Sequence, residues 1–228
     1  MACRNSLAVF GLALGVYLVA FFASWAVPDS VTAQAPWARQ ALTQGLMLAV
    51  ALGAMAASKR PLAEFGFRRP ATASKGHFKL WGLVLGALSS GAILALGLRG
   101  MGARLAAYGL PGIVLWIWVV SSIVEEIFCR GWFQTLAGAD TRAAILWSTA
   151  LFGALHLGLL FGNVEITAVA IIVVSVTALG YVCATARART GSLRPAIAAH
   201  MMFNVGGFLA GVIYTIAYRI ATGHLPSV

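Results

Sequence analysis

Two glutamates stand side by side, Glu125 and Glu126, within the apolar stretch SSIVEEIFCRGWFQ of a chain that has six acidic residues in all. An ionisable group at membrane depth costs about 2.5–3.5 kcal/mol or more unless it faces a protein interior and finds a partner. Arg130 lies one helical turn beyond Glu126, where a charge-assisted hydrogen bond is geometrically natural. A purely structural pair that fixes helix register suits Glu126 and Arg130 as well as a functional one does. It does not account for Glu125, which projects about 100° further round the helix. Three more polar side chains lie in apolar surroundings: His156 in LFGALHLG, four residues after Phe152, and His200 with Asn204 in AAHMMFNVGG, again at i and i+4. A lone histidine in such a helix is as readily a packing hydrogen bond to a carbonyl as a functional group. Two histidines, an amide and two carboxylates are most simply explained if they line one wet cavity. There a carboxylate near an imidazole can hold and deprotonate a water, while a second imidazole and an amide donate hydrogen bonds to a developing oxyanion. That is the chemistry of peptide-bond hydrolysis. No Gly-x-Ser-x-Gly elbow, no HExxH and no cysteine close to a histidine in sequence is present, which disfavours serine, zincin and thiol mechanisms.

The elements that must position these groups are membrane helices. Hydrophobic residues make up 61% of the 228-residue chain and charged residues 10%, with a mean hydropathy of +0.89; no soluble core absorbs that much apolar surface. Apolar runs over about 6–27, 38–57, 78–98, 112–136, 143–161, 165–186 and 195–220 predict an all-α fold, a polytopic transmembrane bundle of about seven spanning helices. One continuous membrane domain is expected, with N-terminal helices over 1–110 and a core over 111–221. The first run also fits a signal peptide cut after Ala26. Its apolar stretch is long for that purpose, so a retained helix is expected.

The formal charge of +10 does not read as a nucleic-acid surface, because the basic residues fall in short loops between apolar runs. Alternating the loops across the membrane puts Arg4, Lys59, Arg60, Arg68, Arg69, Lys75, Lys79, Arg142, Arg187, Arg189 and Arg194 on one side, against Arg39, Arg99, Arg104 and Arg219. The richer side is expected to be cytoplasmic, with the loop 58–79 and the N-terminus inside and the C-terminus outside. Within that loop PLAEFGFRRP reads as an amphipathic surface segment that packs Phe65 and Phe67 while its arginines meet anionic headgroups. Cys3, Cys129 and Cys183 are far apart and read as small apolar fillers. GxxxG spacing at Gly11 and Gly15, Gly82 and Gly86, and Gly207 and Gly211 reads as ordinary close helix packing.

Taken in order, Glu125-Glu126-x-x-x-Arg130, Phe152-x-x-x-His156 and His200-x-x-x-Asn204 resemble the EExxxR, FxxxH and HxxxN motifs of the CPBP family of CAAX-type and bacteriocin-processing (Abi-type) intramembrane proteases. No motif position is substituted, and the resemblance spans about 112–220; the first hundred residues resemble nothing beyond generic membrane helices. The resemblance implies a glutamic-type endopeptidase in which Glu125 and His156 activate water. It likewise implies that His200 and Asn204 form the oxyanion site while Glu126 and Arg130, with Phe152, support the structure. No cofactor is expected on this reading. Family members have also been described as metalloproteases, and Glu125, His156 and His200 would then be the zinc ligands.

The partners expected are the lipid bilayer and a membrane-associated protein or peptide substrate, with no nucleic acid, and the location a multi-pass protein of the cell membrane. A proton-coupled transporter or a catalytically silent immunity or scaffold protein is the alternative, since intramembrane Glu, His and Arg also make proton relays. Against transport stand the absence of a repeat relating the two halves and of Gly/Pro-broken helices near the acidic pair. One tension is apparent: His200 lies about six residues from the cytoplasmic end of its helix, whereas Glu125 and His156 fall near mid-membrane.

Overall fold

The structure is a computed structural model and describes residues 2–35, 37–71, 77–97, 116–161 and 164–224. Lys75, Arg99, Arg104, the expected start of the fourth span at 112 and the division near 110 lie outside the described residues. Among the described residues the chain is helical, without strands. In order come α1 (Ala2–Ser24), the short α2 (Asp29–Gln34), α3 (Ala38–Ala57) and α4 (His77–Ala95). Next is α5, one helical run over 116–136 in which wide π-type turns, Trp116–Ser121 and Ile127–Phe133, alternate with the α-helical pieces Ser122–Glu126 and Gln134–Leu136. Then follow α6 (Arg142–Leu155) with a 3₁₀ extension (His156–Phe161), α7 (Ile166–Thr190) and α8 (Arg194–Thr222).

Among the described residues six helices, α1, α3, α4, α6 with its 3₁₀ extension, α7 and α8, are long and apolar enough to cross a membrane. The remaining expected run, the fourth, is α5, which lies among them but is not one regular α-helix. Its wide turns flank the acidic pair on both sides, the placement in which π-bulges recur at functional sites.

Helix ends follow local rules. Thr141 caps α6, its hydroxyl accepting from the Ala144 N–H at 3.1 Å. Gly191 ends α7 in the left-handed region (φ 65°), its N–H closing on Arg187 O at 2.9 Å, and the chain turns at once into α8, where Pro195 lies in the first turn.

The helices carrying the motifs are held by close backbone approach. A methyl group on Gly82 would strike the Ala199 carbonyl, and one on Gly86 the Phe203 carbonyl, so α4 lies directly on the face of α8 that carries His200. This is the packing that small residues permit where lipid supplies no hydrophobic drive between helices. Gly11, Gly15 and Gly211 have open space beside them, and their spacing marks no crossing.

The segment before α4 departs from its expected role. Phe65 is fully buried, but Phe67 is 42% exposed and does not pack inward. The Arg68 guanidinium donates to Gly191 O at 2.8 Å instead of reaching headgroups. The segment folds as turns, and the hydrogen bonds Leu193 N–H to Gly66 O (3.0 Å), Ala71 N–H to Thr190 O (2.9 Å) and Ser192 hydroxyl to Arg68 O (2.6 Å) tie it over the α7–α8 turn. Backbone groups at a tight turn need partners, and here they find each other.

Candidate active site

Glu126 and Arg130 are both fully buried and meet at 3.0 Å between Oε1 and Nη1. Arg130 also donates to Gly180 O at 3.0 Å and lies over the Phe152 ring, 4.2 Å from its centre. A guanidinium so enclosed is stable only because carboxylate, carbonyl and ring face share it. The same Glu126 oxygen lies 3.0 Å from His200 Nδ1. A carboxylate accepts, so the proton of that bond sits on Nδ1, and Nε2 of His200 is turned the other way.

There it faces Glu125, with Nε2 to Oε2 at 3.9 Å. The other oxygen of Glu125 is fixed: Oε1 accepts from the Ser121 hydroxyl at 2.7 Å and from the Gln44 amide at 3.2 Å, while Gln44 also donates to Ser121 at 2.6 Å. Glu125 Oε2 is buried and has no hydrogen-bond partner. Glu126 Oε2 is likewise buried without a hydrogen-bond partner, but of the two carboxylates Glu125 is the one that borders a cavity.

His156 stands where α6 passes into its 3₁₀ extension, and its Nδ1 is 2.9 Å from Phe152 O. A carbonyl carries no proton, so Nδ1 donates, and in the neutral ring Nε2 is an acceptor. Phe152 packs between the two imidazoles, 5.1 Å from His156 and 5.3 Å, edge to face, from His200. Asn204, one turn beyond His200 on α8, donates from its amide to the Ser122 hydroxyl at 3.1 Å.

A cavity of about 310 Å³ reaches Glu125 and His156 at its inner wall, with Tyr17, Gln44, Met47 and Leu155 beside them. It is large enough for a side chain or two of an extended peptide and far too small for a folded domain. His200 and Asn204 are not among its lining residues; they join the site through Glu125, Glu126 and Ser122. Whatever the position of its helix end, His200 lies at the level of the acidic pair, which it contacts, and the first turns of α8 are buried around it, Pro195, Ala196 and Ala199 included.

Sequence reasoning missed Gln44, Ser121, Ser122 and Tyr17. Tyr17 donates to Leu155 O at 2.5 Å and so braces the turn that presents His156. Ser121 was open to discovery, since it lies at i−4 from Glu125. Gln44 and Tyr17 carried the weaker signal of a polar group in an apolar helix.

For zinc, three donors would have to converge on one point at about 2.0–2.2 Å each. Among the described residues no group of three or more His, Cys, Asp or Glu side chains is so disposed. His200 and His156 each direct Nδ1 to a protein oxygen, which leaves Nε2 of each as the nitrogen that could face an ion.

The three motifs converge within a helical membrane bundle. Residues 107–206 match the family model of the Rce1-like type II CAAX prenyl endopeptidases, in agreement with the CPBP family that the motifs resemble. The similarity covers this segment of the chain, and the match is consistent with the CPBP family. No curated protein and no solved structure matches the chain. The family supports an intramembrane protease acting on a protein or peptide.

Proposed function

We propose that the chain is a glutamic-type intramembrane endopeptidase that hydrolyses a peptide bond of a membrane-associated protein or peptide, with Glu125 as general base. The observation that carries this reading is the asymmetry of Glu125: Oε1 is held by Ser121 and Gln44, while Oε2 is buried, unpartnered and beside His200 Nε2. A water there can donate one proton to Glu125 Oε2 and the other to His156 Nε2. As its oxygen bonds to the substrate carbonyl carbon, its proton passes to Glu125 and the carbonyl electrons move onto oxygen. The oxyanion accepts hydrogen bonds from His200 and Asn204. Collapse of the tetrahedral intermediate breaks the C–N bond, and the proton on Glu125 passes to the leaving amine, restoring the carboxylate.

His200 can donate from Nε2 while Nδ1 donates to Glu126 only if it carries both protons.

Glu125→Gln keeps size and shape but cannot take the proton, so turnover of a helical reporter peptide in detergent is expected to fall by at least about a hundredfold with folding kept. Parental turnover in that variant would remove the base assignment. Activity lost to a strong chelator and restored by zinc would replace this mechanism with a metal-dependent one.

A further inference from the structure

The two ends of the bundle are built differently. The cavity is lined by the last turns of α1 and the residue beyond them (Phe21, Ser24, Trp25), the first turns of α3 (Arg39, Gln40, Thr43, Gln44) and the 3₁₀ extension of α6 (Gly158, Leu159). All three lie at one end of the bundle, and there Trp25 and Gln40 are exposed. From this rim the cavity runs inward to Glu125 and His156.

The opposite end is closed. The turns over 61–71 lie across the α7–α8 connection, bound by the backbone hydrogen bonds described above and by Arg187, which donates to Glu64 O at 2.6 Å. Beneath them Phe65, Phe128 and Phe133 are fully buried, as is the Glu126–Arg130 pair. A peptide entering from this end would have to displace that packing and unpair two buried charges; one entering from the rim follows the cavity to Glu125 and His156.

Charge marks the same division. At the closed end lie Lys59, Arg60, Arg68, Arg69, Lys79, Arg142, Arg187, Arg189 and Arg194; at the open end, among the described residues, lie Arg39 and Arg219. Arg39 is itself occupied, bonded to Asp29 at 2.6 Å and to Val27 O at 3.2 Å. Clusters of lysine and arginine next to spanning helices are retained in the cytoplasm.

We infer that the site is loaded from the extracytoplasmic side: the substrate is an extended segment of an exported or membrane-anchored polypeptide lying outside the cytoplasm. This rests on the protease reading for what happens to the segment, but not for where the cavity opens. The rim supports it chemically, since Tyr17, Phe21, Trp25, Leu155 and Leu159 offer an apolar and aromatic wall suited to a chain at the membrane interface.

Two measurements test it. In a Cys3→Ser background, where Cys129 and Cys183 stay fully buried, Gln40→Cys and Arg60→Cys are each exposed to a membrane-impermeant maleimide in intact cells. Labelling of Gln40→Cys, with Arg60→Cys labelled only after the membrane is opened, is expected. The reverse pattern overturns the inference. A helical reporter peptide is then added outside sealed proteoliposomes sorted by orientation. Cutting by vesicles that expose the Gln40 rim, abolished by Glu125→Gln, supports loading from that side. Cutting confined to vesicles that expose the Arg60 end overturns it. If neither orientation cuts while the labelling is as expected, the protease reading fails and the placement of the opening stands.

Discussion

Gln44 Nε2 lies 3.2 Å from Glu125 Oε1 and 2.6 Å from Ser121 Oγ, a bond that joins α3 to α5 across 81 positions of the chain. It lets a helix outside the family-matched segment fix the rotation of the carboxylate, so that the unpartnered oxygen stays turned toward His200. A hydrogen bond to a charged group is worth about 1.5–3 kcal/mol, and that energy holds Glu125 in the orientation that the proposed base role requires. Gln44→Leu is therefore expected to lower kcat by roughly ten- to a hundredfold, with KM changed less and folded yield kept. Steady-state kinetics on purified protein decides it: a parental kcat would reduce Gln44 to a lining residue.

Glu126 and Arg130 lead to a different expectation, because both are fully buried and paired with each other, His200 being the further donor to Glu126. Removing one strands the other in a low dielectric at a cost of roughly 3–5 kcal/mol. Glu126→Gln and Arg130→Met should each lower folded yield and thermal midpoint in detergent, and the double variant should recover part of both. Single variants that fold like the parent yet do not turn over would make Arg130 a substrate-binding or catalytic group.

What could be read in advance depended on range. Glu126 with Arg130, and Phe152 with His156, are i, i+4 pairs whose geometry follows from the helix alone, and both meet as that spacing requires. The spans were legible for the same reason: α3 runs over the expected residues and α8 within two at either end. Gln44 and Tyr17 were not, since their partners lie on other helices and nothing local distinguishes a glutamine that reaches a catalytic candidate from one that faces its own helix. The first wide turn of α5 carries no proline or glycine to announce it, and the second carries a single glycine, Gly131. The segment around Phe67 was misread because an amphipathic pattern was matched to the nearest polar surface, the membrane, when the protein's own α7–α8 turn supplied the carbonyls.

Gly82 and Gly86 set the distance at which α8 presents His200 and Asn204. Gly82→Ala and Gly86→Ala each place a methyl group against a carbonyl oxygen of α8 that cannot move alone. Overpacking of this kind costs typically about 1–3 kcal/mol, so both should lower the thermal midpoint in detergent and reduce turnover. Gly15→Ala, with open space around it, is the matched control and should change neither. Equal behaviour of all three variants would show that α4 and α8 do not approach closely.

Asn204 gives the most direct test of the oxyanion assignment, because its surroundings separate binding of the amide from its use. One N–H of the amide is committed to Ser122 Oγ at 3.1 Å, and an amide has two, so the second is available to a substrate oxygen. Asn204→Ala removes both and is expected to cost a hundredfold or more in turnover, as loss of one oxyanion donor typically does (~10²–10³). Asn204→Asp keeps the shape but turns a donor into an acceptor, and should be no better. Ser122→Ala leaves the donor in place and removes only the bond that orients it, worth about 0.5–1.5 kcal/mol, so turnover should fall by only about two- to tenfold. The three variants are compared by kcat on one reporter peptide, with Glu125→Gln marking the floor. Asn204→Ala turning over at the parental rate would remove the amide from the reaction, and a Ser122→Ala loss as large as that of Asn204→Ala would move the donor role to the hydroxyl.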